Sequence, residues 1–345
     1  MNDTFTTDSQ GVPVLTKTSG KDFRILQLTD IHMGGSLWTK KKDRKALAAI
    51  EALVKYAKPD LVAVTGDVSF PMPHKTLTIN NMRPAVLFGT LMEKLGIPWT
   101  FVFGNHDCES FATHTKKQIA EYYYSCPHCL FKTTAEGITG DSNYIVKLRN
   151  QNGTLNQLLI FIDSNGYAGK GFFSGFDYIH DDQVDWYEKQ VKKVTEEEHA
   201  GSPLASAIPS MAFFHIPLVE YRDAWWALQE QSPDAVYNFG CCQEKDQYFG
   251  TSHTKSKMFD KILELGSTKA VFVGHDHYNT QSVTYKGIQL TYGMSIDYLA
   301  YDGISKRINQ RGATIIDIHD DSTFHCQLLP LTTVTGEARG GGLRH

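Results

Sequence analysis

Ile25-Leu26-Gln27-Leu28-Thr29-Asp30-Ile31-His32 is a largely apolar run that ends in two residues able to bind a metal. Four later segments have the same build. Leu61-Val62-Ala63-Val64 leads to Gly66-Asp67, and Thr100-Phe101-Val102-Phe103 leads to Gly104-Asn105-His106-Asp107. Met211-Ala212-Phe213-Phe214 delivers His215, and Ala270-Val271-Phe272-Val273 delivers Gly274-His275-Asp276-His277. Short apolar runs bounded by turn residues read as buried strands. Oxygen and nitrogen donors at five strand ends, spread from residue 30 to residue 277, point to one metal site gathered by the fold.

Outward from the first strand, Ala46, Leu47, Ile50, Leu53, Val54 and Ala57 share one face of a helix over about 40–57, which Pro59 ends. Strand 61–65 then completes a βαβ unit and predicts a parallel pair. Residues 67–83, with Pro71 and Pro73, read as an irregular loop before a helix over 84–95 that Gly96 closes. Strand 100–103, a helix near 114–124 and a polar loop over 126–142 follow. The pattern then changes to a hairpin, 143–148 and 157–163, around Asn150-Gln151-Asn152-Gly153. Residues 164–179 form a loop rich in Gly and aromatics, then come a helix over 181–197 and strand 210–214. The stretch 217–254 has no clear period and reads as a long functional loop. A helix at 255–265 leads to strand 270–273, and 282–285, 288–292, 313–318 and 323–329 read as antiparallel strands. Residues 1–21 are expected to be a flexible lead-in, at most an edge strand. Residues 22–335 form one α/β domain, a sandwich of two mixed sheets, and the Gly/Arg-rich 336–345 a disordered tail.

The chain has 345 residues, 41% hydrophobic and 21% charged, enough for a large core. A net charge of -4 gives no support for nucleic-acid binding, and Lys40-Lys41-Lys42 reads as a solvated helix start. No apolar run is long enough to span a bilayer, and the opening residues lack the apolar centre of a signal peptide, so a cytoplasmic location is expected. Six cysteines do not make a disulfide scaffold; Cys126-Pro127-His128-Cys129 stands alone and reads as a pair of reduced loop thiols.

Asp30 and His32, at i and i+2 of an extended segment, point to one side. Asp67 has two carboxylate oxygens and can bridge two ions. Asn105 offers an amide oxygen, and His215, His275 and His277 offer imidazole nitrogens. Mixed O/N donors suit Mn, Fe or Zn rather than Ca. Asp30, His32, Asp67 and His277 would hold one ion, and Asp67, Asn105, His215 and His275 the other. Two divalent ions against two carboxylates and a bridging hydroxide leave a small positive charge, which suits a phosphate ester. This is a two-metal clamp that supplies a hydroxide nucleophile near neutral pH. His106 is not needed as a ligand and is placed to steady the phosphoryl group or protonate the leaving alkoxide. Asp107 either orients His106 or caps a helix.

These segments resemble the calcineurin-like metallophosphoesterase superfamily, whose pattern D-x-H, G-D, G-N-H-D/E, H, G-H-x-H is matched at every ligand position over about 23–318. The resemblance implies a four-layer α/β/β/α sandwich, a dinuclear centre of two divalent transition metals, and hydrolysis of a phosphate ester. A narrower likeness, to the small purple-acid-phosphatase-like branch, rests on Gly104-Asn105-His106-Asp107-Cys108-Glu109, Phe214-His215-Ile216-Pro217 and Gly274-His275-Asp276-His277-Tyr278-Asn279. True purple acid phosphatases carry Tyr three residues after the bridging Asp; here that residue is Phe70, so a colourless centre with Mn, Fe(II) or Zn is expected. The substrate implied is a small-molecule, nucleotide or phosphoprotein ester. Phosphomonoester hydrolysis is the first reading, with a phosphodiesterase or a non-catalytic binding module of the same fold as alternatives. Asn279 and Arg222 are candidate substrate contacts, and Trp38, Phe70, Tyr167, Phe172, Phe173, Trp225 and Trp226 candidate cleft walls.

Overall fold

The computed structural model describes residues 5–18, 20–169, 175–199, 207–306 and 309–336. The chain opens with β1 (Thr6–Thr7) and β2 (Pro13–Thr16). Then come β3 (Phe23–Leu28), α1 (Lys40–Ala57), β4 (Leu61–Val64), α2 (Pro73–Thr76), α3 (Met82–Leu95), β5 (Trp99–Phe101) and α4 (Lys116–Tyr124). The hairpin β6 (Tyr144–Arg149) and β7 (Leu155–Phe161) precedes the small pair β8 (Tyr167–Ala168) and β9 (Gly175–Phe176). Next are α5 (Asp181–Glu198), β10 (Ser210–Phe213), α6 (Val219–Gln229), β11 (Ala235–Phe239), α7 (Met258–Leu265) and β12 (Thr268–Val273). The strands β13 (Ser282–Tyr285), β14 (Ile288–Tyr292), β15 (Gly312–Ile318) and β16 (Phe324–Pro330) lead into α8 (Leu331–Thr335).

Among the described residues one sheet runs β16-β15-β3-β4-β5 and the other β1-β2-β6-β7-β10-β12-β14-β13-β11. Both are mixed. Parallel pairing of β3, β4 and β5 brings their C-terminal ends to one edge of the first sheet. The parallel neighbours β10 and β12 do the same in the second. The five polar runs therefore leave their sheets at shared edges, as parallel-sheet geometry requires.

Period-two alternation divides the second sheet into two faces. Leu159, Phe161, Met211, Phe213, Ala270 and Phe272 join the core shared with β3, β4, β5, α1 and α3. Their alternates Leu158, Ile160, Ala212, Val271 and Val273 pack with Val184, Trp186 and Tyr187 of α5 and with Met258 and Ile262 of α7. Each large apolar side chain buried in this way contributes about 1.5–3 kcal/mol. Tyr144, Phe161, Phe213 and Phe272 stack across successive strands at 5.0, 5.0 and 5.1 Å, a ring ladder facing the inter-sheet core. The result is the expected α/β/β/α arrangement of helices outside two mixed sheets.

Several expectations need correction. Residues 1–21 are not simply a flexible lead-in: β2 pairs in parallel with β6, and Val14 and Leu15 are buried. Lys17 is buried too, its Nζ donating to the Ile318 carbonyl and lying 2.8 Å from Asp320. The stretch 217–254 is not one long loop, because it contains α6 and β11. The burial of Glu220, Tyr221 and Ala224 gives α6 a narrow inner face, and aromatics on its outer side blur the helical period. The loop 67–83 holds the short α2, and α3 starts two residues before Pro84. The expected tail lies outside the described residues from 337 onward, as do Phe172 and Phe173. No described helix is long and apolar enough to cross a membrane.

Candidate metal centre

Past β3 and β4 the backbones are stitched together before any side chain acts. The amides of Ile31 and His32 both donate to the Asp67 carbonyl, at 2.9 and 3.0 Å. The segment after β3 is not extended, as the i, i+2 reading assumed. Asp30 and His32 are left-handed, with φ of 49° and 50°, as are Asp67 at 56° and His275 at 79°. Such conformations cost about 1–3 kcal/mol each outside glycine and persist where surrounding structure enforces them. Four of the seven expected ligands carry this strain. Glycines supply the clearance: a Cβ on Gly104 would sit 2.1 Å from Asp67 Oδ1.

The side chains converge in two groups among the described residues, Asp30–His32–His277 and Asp67–His215–His275, each with donor atoms within 4.8 Å of one another. Asp67 joins them. Its Oδ1 accepts from the His106 amide at 2.8 Å, while Oδ2 lies 3.4 Å from His32 Nε2 and 3.1 Å from His215 Nε2. Asn105 Oδ1 is 3.1 Å from His215 Nε2, and His275 Nδ1 is 3.3 Å from the same atom. His215 Nδ1 donates to the Thr65 carbonyl at 2.7 Å, leaving Nε2 for the centre. His277 Nδ1 meets Asp297 Oδ2 at 2.9 Å and turns its Nε2 to within 3.5 Å of Asp30 Oδ1. A carboxylate behind a ligating imidazole fixes its tautomer and strengthens it as a ligand.

The donor set fits divalent transition metals. Both nitrogens of buried His32 lack a hydrogen-bond partner, which a core histidine rarely tolerates, and its Nε2, 3.4 Å from Asp67 Oδ2, is free to take a cation. Burial works against ionising Asp30, but the His277 and His32 imidazoles, 3.5 and 3.6 Å from its Oδ1, hold it well below the usual carboxylate range. Burial likewise opposes a charge on Asp67, and the charges of His215 and His106 overcome it. His215 is raised to about 9, burial being outweighed by Asp67. His275 is pushed well down, by burial and by the neighbouring His215 charge. A cation here would replace the proton that Asp67 otherwise retains on His215.

Asp107 does not orient His106. Its buried carboxylate accepts from the amides of Gly104, Asp67 and Ser69 at 2.8–2.9 Å and so ties the β4 and β5 loops together. Nor does it cap a helix, because α4 starts at Lys116 with Thr115 as its cap. Burial, with the charge of Asp67, raises Asp107 to about 7. The carboxylate against His106 is Glu109, whose Oε1 is 2.6 Å from Nδ1. Two residues escaped the sequence reading in this way: Glu109, three positions from its histidine, and Asp297, whose partner is known only once β12 and β14 are paired.

Asn279 and Arg222 are not brought to the cleft as free contacts. Asn279 is buried, and its Oδ1 accepts from the amides of Gln243 and Glu244. Arg222 lies exposed on α6 against Asp223. Instead, a cavity of about 370 Å³ over the centre is walled by Phe70, His106, Tyr167, Phe176, Tyr248 and Tyr301. Phe70 packs edge-on against His32 and His106 at 5.0 and 4.9 Å, so a ring without any ligating atom fills that position. Trp38 projects into solvent. Cys126 and Cys129 are buried free thiols outside both ligand groups.

Two mixed sheets whose strand ends hold two linked His/Asp groups define a dimetal-binding phosphoesterase fold. The chain belongs to the calcineurin-like phosphoesterase family, whose profile matches residues 23–279. It is 31% identical over 308 residues to the probable inactive purple acid phosphatase 29 of Arabidopsis thaliana, covering 81% of this chain and 73% of that protein. It is also 29% identical over 293 residues to the phosphatase DCR2 of Saccharomyces cerevisiae, covering 78% of this chain and 46% of the yeast protein. The fold is shared with a dimetal phosphatase from Danio rerio, with a TM-score of 0.55 and 11% identity over 90% of this chain and 97% of that one.

Proposed function

We propose that this protein hydrolyses phosphate esters, with phosphomonoesters as its main substrates. The observation that carries the reading is the complete ligand set around Asp67, whose Oδ2 faces both His32 and His215. Asp30, His32, Asp67 and His277 would hold one divalent ion, and Asp67, Asn105, His215 and His275 the other; Mn, Fe(II) and Zn suit these donors. Such ions supply charge to polarise a phosphoryl group and lower the pKa of water at the centre. The protein's own part is positional. The left-handed loops fix the ligands in advance, and aromatic side chains line the cleft above them. His106, at the cavity wall, is the candidate to hydrogen-bond the phosphoryl group or give a proton to the departing alkoxide. The cavity of about 370 Å³ over the centre has room for a phosphate ester of small-molecule size.

A second reading, a binding module without turnover, is favoured by the word inactive in the name of the Arabidopsis relative. Phe70 is informative here: it removes a tyrosinate without removing any of the seven donors. Loss of purple-type iron chemistry and loss of hydrolysis are therefore separable. Turnover of an aryl monoester, a bis-aryl diester and a phosphopeptide with added Mn²⁺ tests the proposal. Aryl monoester hydrolysis that Asp67→Asn and His215→Ala abolish is expected. Absence of turnover in the metal-loaded wild type, or full activity in both variants, would overturn it.

A further inference from the structure

Asn105 and His106 share a feature that a list of ligands does not explain: each has two ends that differ chemically but hardly in shape. An Asn amide can present oxygen or NH₂, and an imidazole can carry its hydrogen on either nitrogen. Only the oxygen of Asn105 can bind a cation. Something must select the correct end.

We propose that Glu109, acting partly through Tyr167, makes both selections, so that Glu109 and Tyr167 are positioning residues for the metal centre. The inference rests on the two-ion reading above. Glu109 Oε1 lies 2.6 Å from His106 Nδ1 and 3.3 Å from the Tyr167 hydroxyl. That hydroxyl is in turn 2.7 Å from Asn105 Nδ2. A carboxylate oxygen only accepts, so the Tyr167 proton points at Glu109, and the phenolic oxygen is left to accept from Asn105. The amide must then show its NH₂ to Tyr167 and its Oδ1 to the other side, where it lies 3.1 Å from His215 Nε2. A reversed amide would take the Tyr167 proton for its own oxygen and leave the phenolic lone pairs facing the carboxylate. The same Glu109 oxygen requires a hydrogen on His106 Nδ1. Nε2 is then the nitrogen left to face a substrate oxygen, and it gives up a proton there when both ring nitrogens carry one. Phe70 and Tyr167 hold the His106 ring edge-on, with centroids 4.9 and 6.3 Å away.

The two residues are separated along the chain, Glu109 in the loop after β5 and Tyr167 in β8. Their meeting over Asn105 is therefore a tertiary arrangement and not a local turn. Glu109 belongs to neither of the two ligand groups.

The test is Mn²⁺ titration of the full metal-free chain by calorimetry, with wild type, Tyr167→Phe, Glu109→Ala and Glu109→Gln compared. Tyr167→Phe and Glu109→Ala are each expected to weaken one of two Mn²⁺ sites by about 10–100-fold, the usual effect of losing a group behind a ligand. The second site keeps its wild-type affinity. Glu109→Gln still offers a carbonyl acceptor at the same place and should recover most of the lost affinity. Wild-type affinity in both Tyr167→Phe and Glu109→Ala overturns the proposal. So does a Glu109→Gln protein as weak as Glu109→Ala, because charge rather than hydrogen-bond direction would then be the cause. For the His106 half, Glu109→Ala should lower kcat/KM for an alkyl phosphate at least about tenfold more than for an aryl phosphate, whose leaving group needs little proton assistance. Equal losses on the two esters overturn that half. A wild type that binds Mn²⁺ but hydrolyses neither ester would refute the proposed function and leave the metal-affinity result to decide the inference.

Discussion

Replacing Asp297 by Asn changes one heavy atom and is expected to disconnect His277 from the metal centre. Asp297 Oδ1 accepts from the amides of Leu299 and Ala300 at 2.6 and 2.8 Å, and Oδ2 meets His277 Nδ1 at 2.9 Å. In the variant the two backbone amides retain the carbonyl oxygen, which puts the new NH₂ against Nδ1. A donor there requires Nδ1 to be bare. The imidazole hydrogen moves to Nε2, the nitrogen that faces Asp30 and would bind the ion. A loss of about 10–100-fold in metal affinity follows, or about 1.4–2.7 kcal/mol. If Mn²⁺ is supplied at about 100 times the wild-type Kd, one site stabilises the wild type by about 2.7 kcal/mol; a 100-fold weaker site retains about 0.4 kcal/mol. Thermal unfolding with and without Mn²⁺, beside a calorimetric titration, reads both quantities. A variant with the wild-type rise in Tm and the wild-type affinity would refute the tautomer argument. The metal-free proteins provide the control: the Leu299 and Ala300 bonds survive in both, and the cost of losing the long Tyr301 amide bond to Oδ2 is read there.

Gly104→Ala drives a methyl group to within 2.1 Å of Asp67 Oδ1 and 2.5 Å of its backbone nitrogen, so the loop must move. A loss of about 1–3 kcal/mol in urea unfolding is expected, together with a lowered bound-metal content, and an unchanged midpoint with full metal would contradict it. Glu220 gives a pH test away from the centre. Burial raises its carboxyl above the ordinary 4.5, which Lys255 only partly offsets. The Lys255 ammonium lies 2.9 Å from Oε1, yet neither carboxylate oxygen has a well-aligned hydrogen bond. The folded state therefore binds this proton more tightly than the unfolded chain does. Its contribution is complete below pH 4.5 and is lost as pH rises through the folded value. Glu220→Gln lacks that loss, so its Tm should gain on wild type as pH increases from there; parallel Tm profiles would count against the reading.

The candidate ligands were legible because each follows a short apolar run bounded by turn residues, which reads as a buried strand. Asp30, Asp67, Asn105, His215, His275 and His277 could be read as strand-end donors before any contact was known. Their supports were not. Asp297 lies twenty residues beyond His277, and nothing local ties the two. Asp107, adjacent to His106, reads from sequence as its orienting group or a helix cap, whereas the geometry commits Asp107 to three backbone amides and places Glu109 against His106. Left-handed φ at Asp30 and His32 also escaped, because no local feature such as the helix C-caps at Lys58 and Leu77 places it there. At the N-terminus, β2 is four residues long and is defined by its partner β6 rather than by its own pattern.

The pairing of distant segments has a consequence for biosynthesis. The buried ammonium of Lys17 waits for the Ile318 carbonyl, 301 residues later, and β3 waits for β15. The Asp30 carboxylate meets the His275 amide across 245 residues. A ribosome therefore releases the first half of this protein with β3 lacking one neighbour and with no complete place for either ion. Closure of that open edge by β15 and completion of both ligand groups by His275 and His277 come late in the order of the strands.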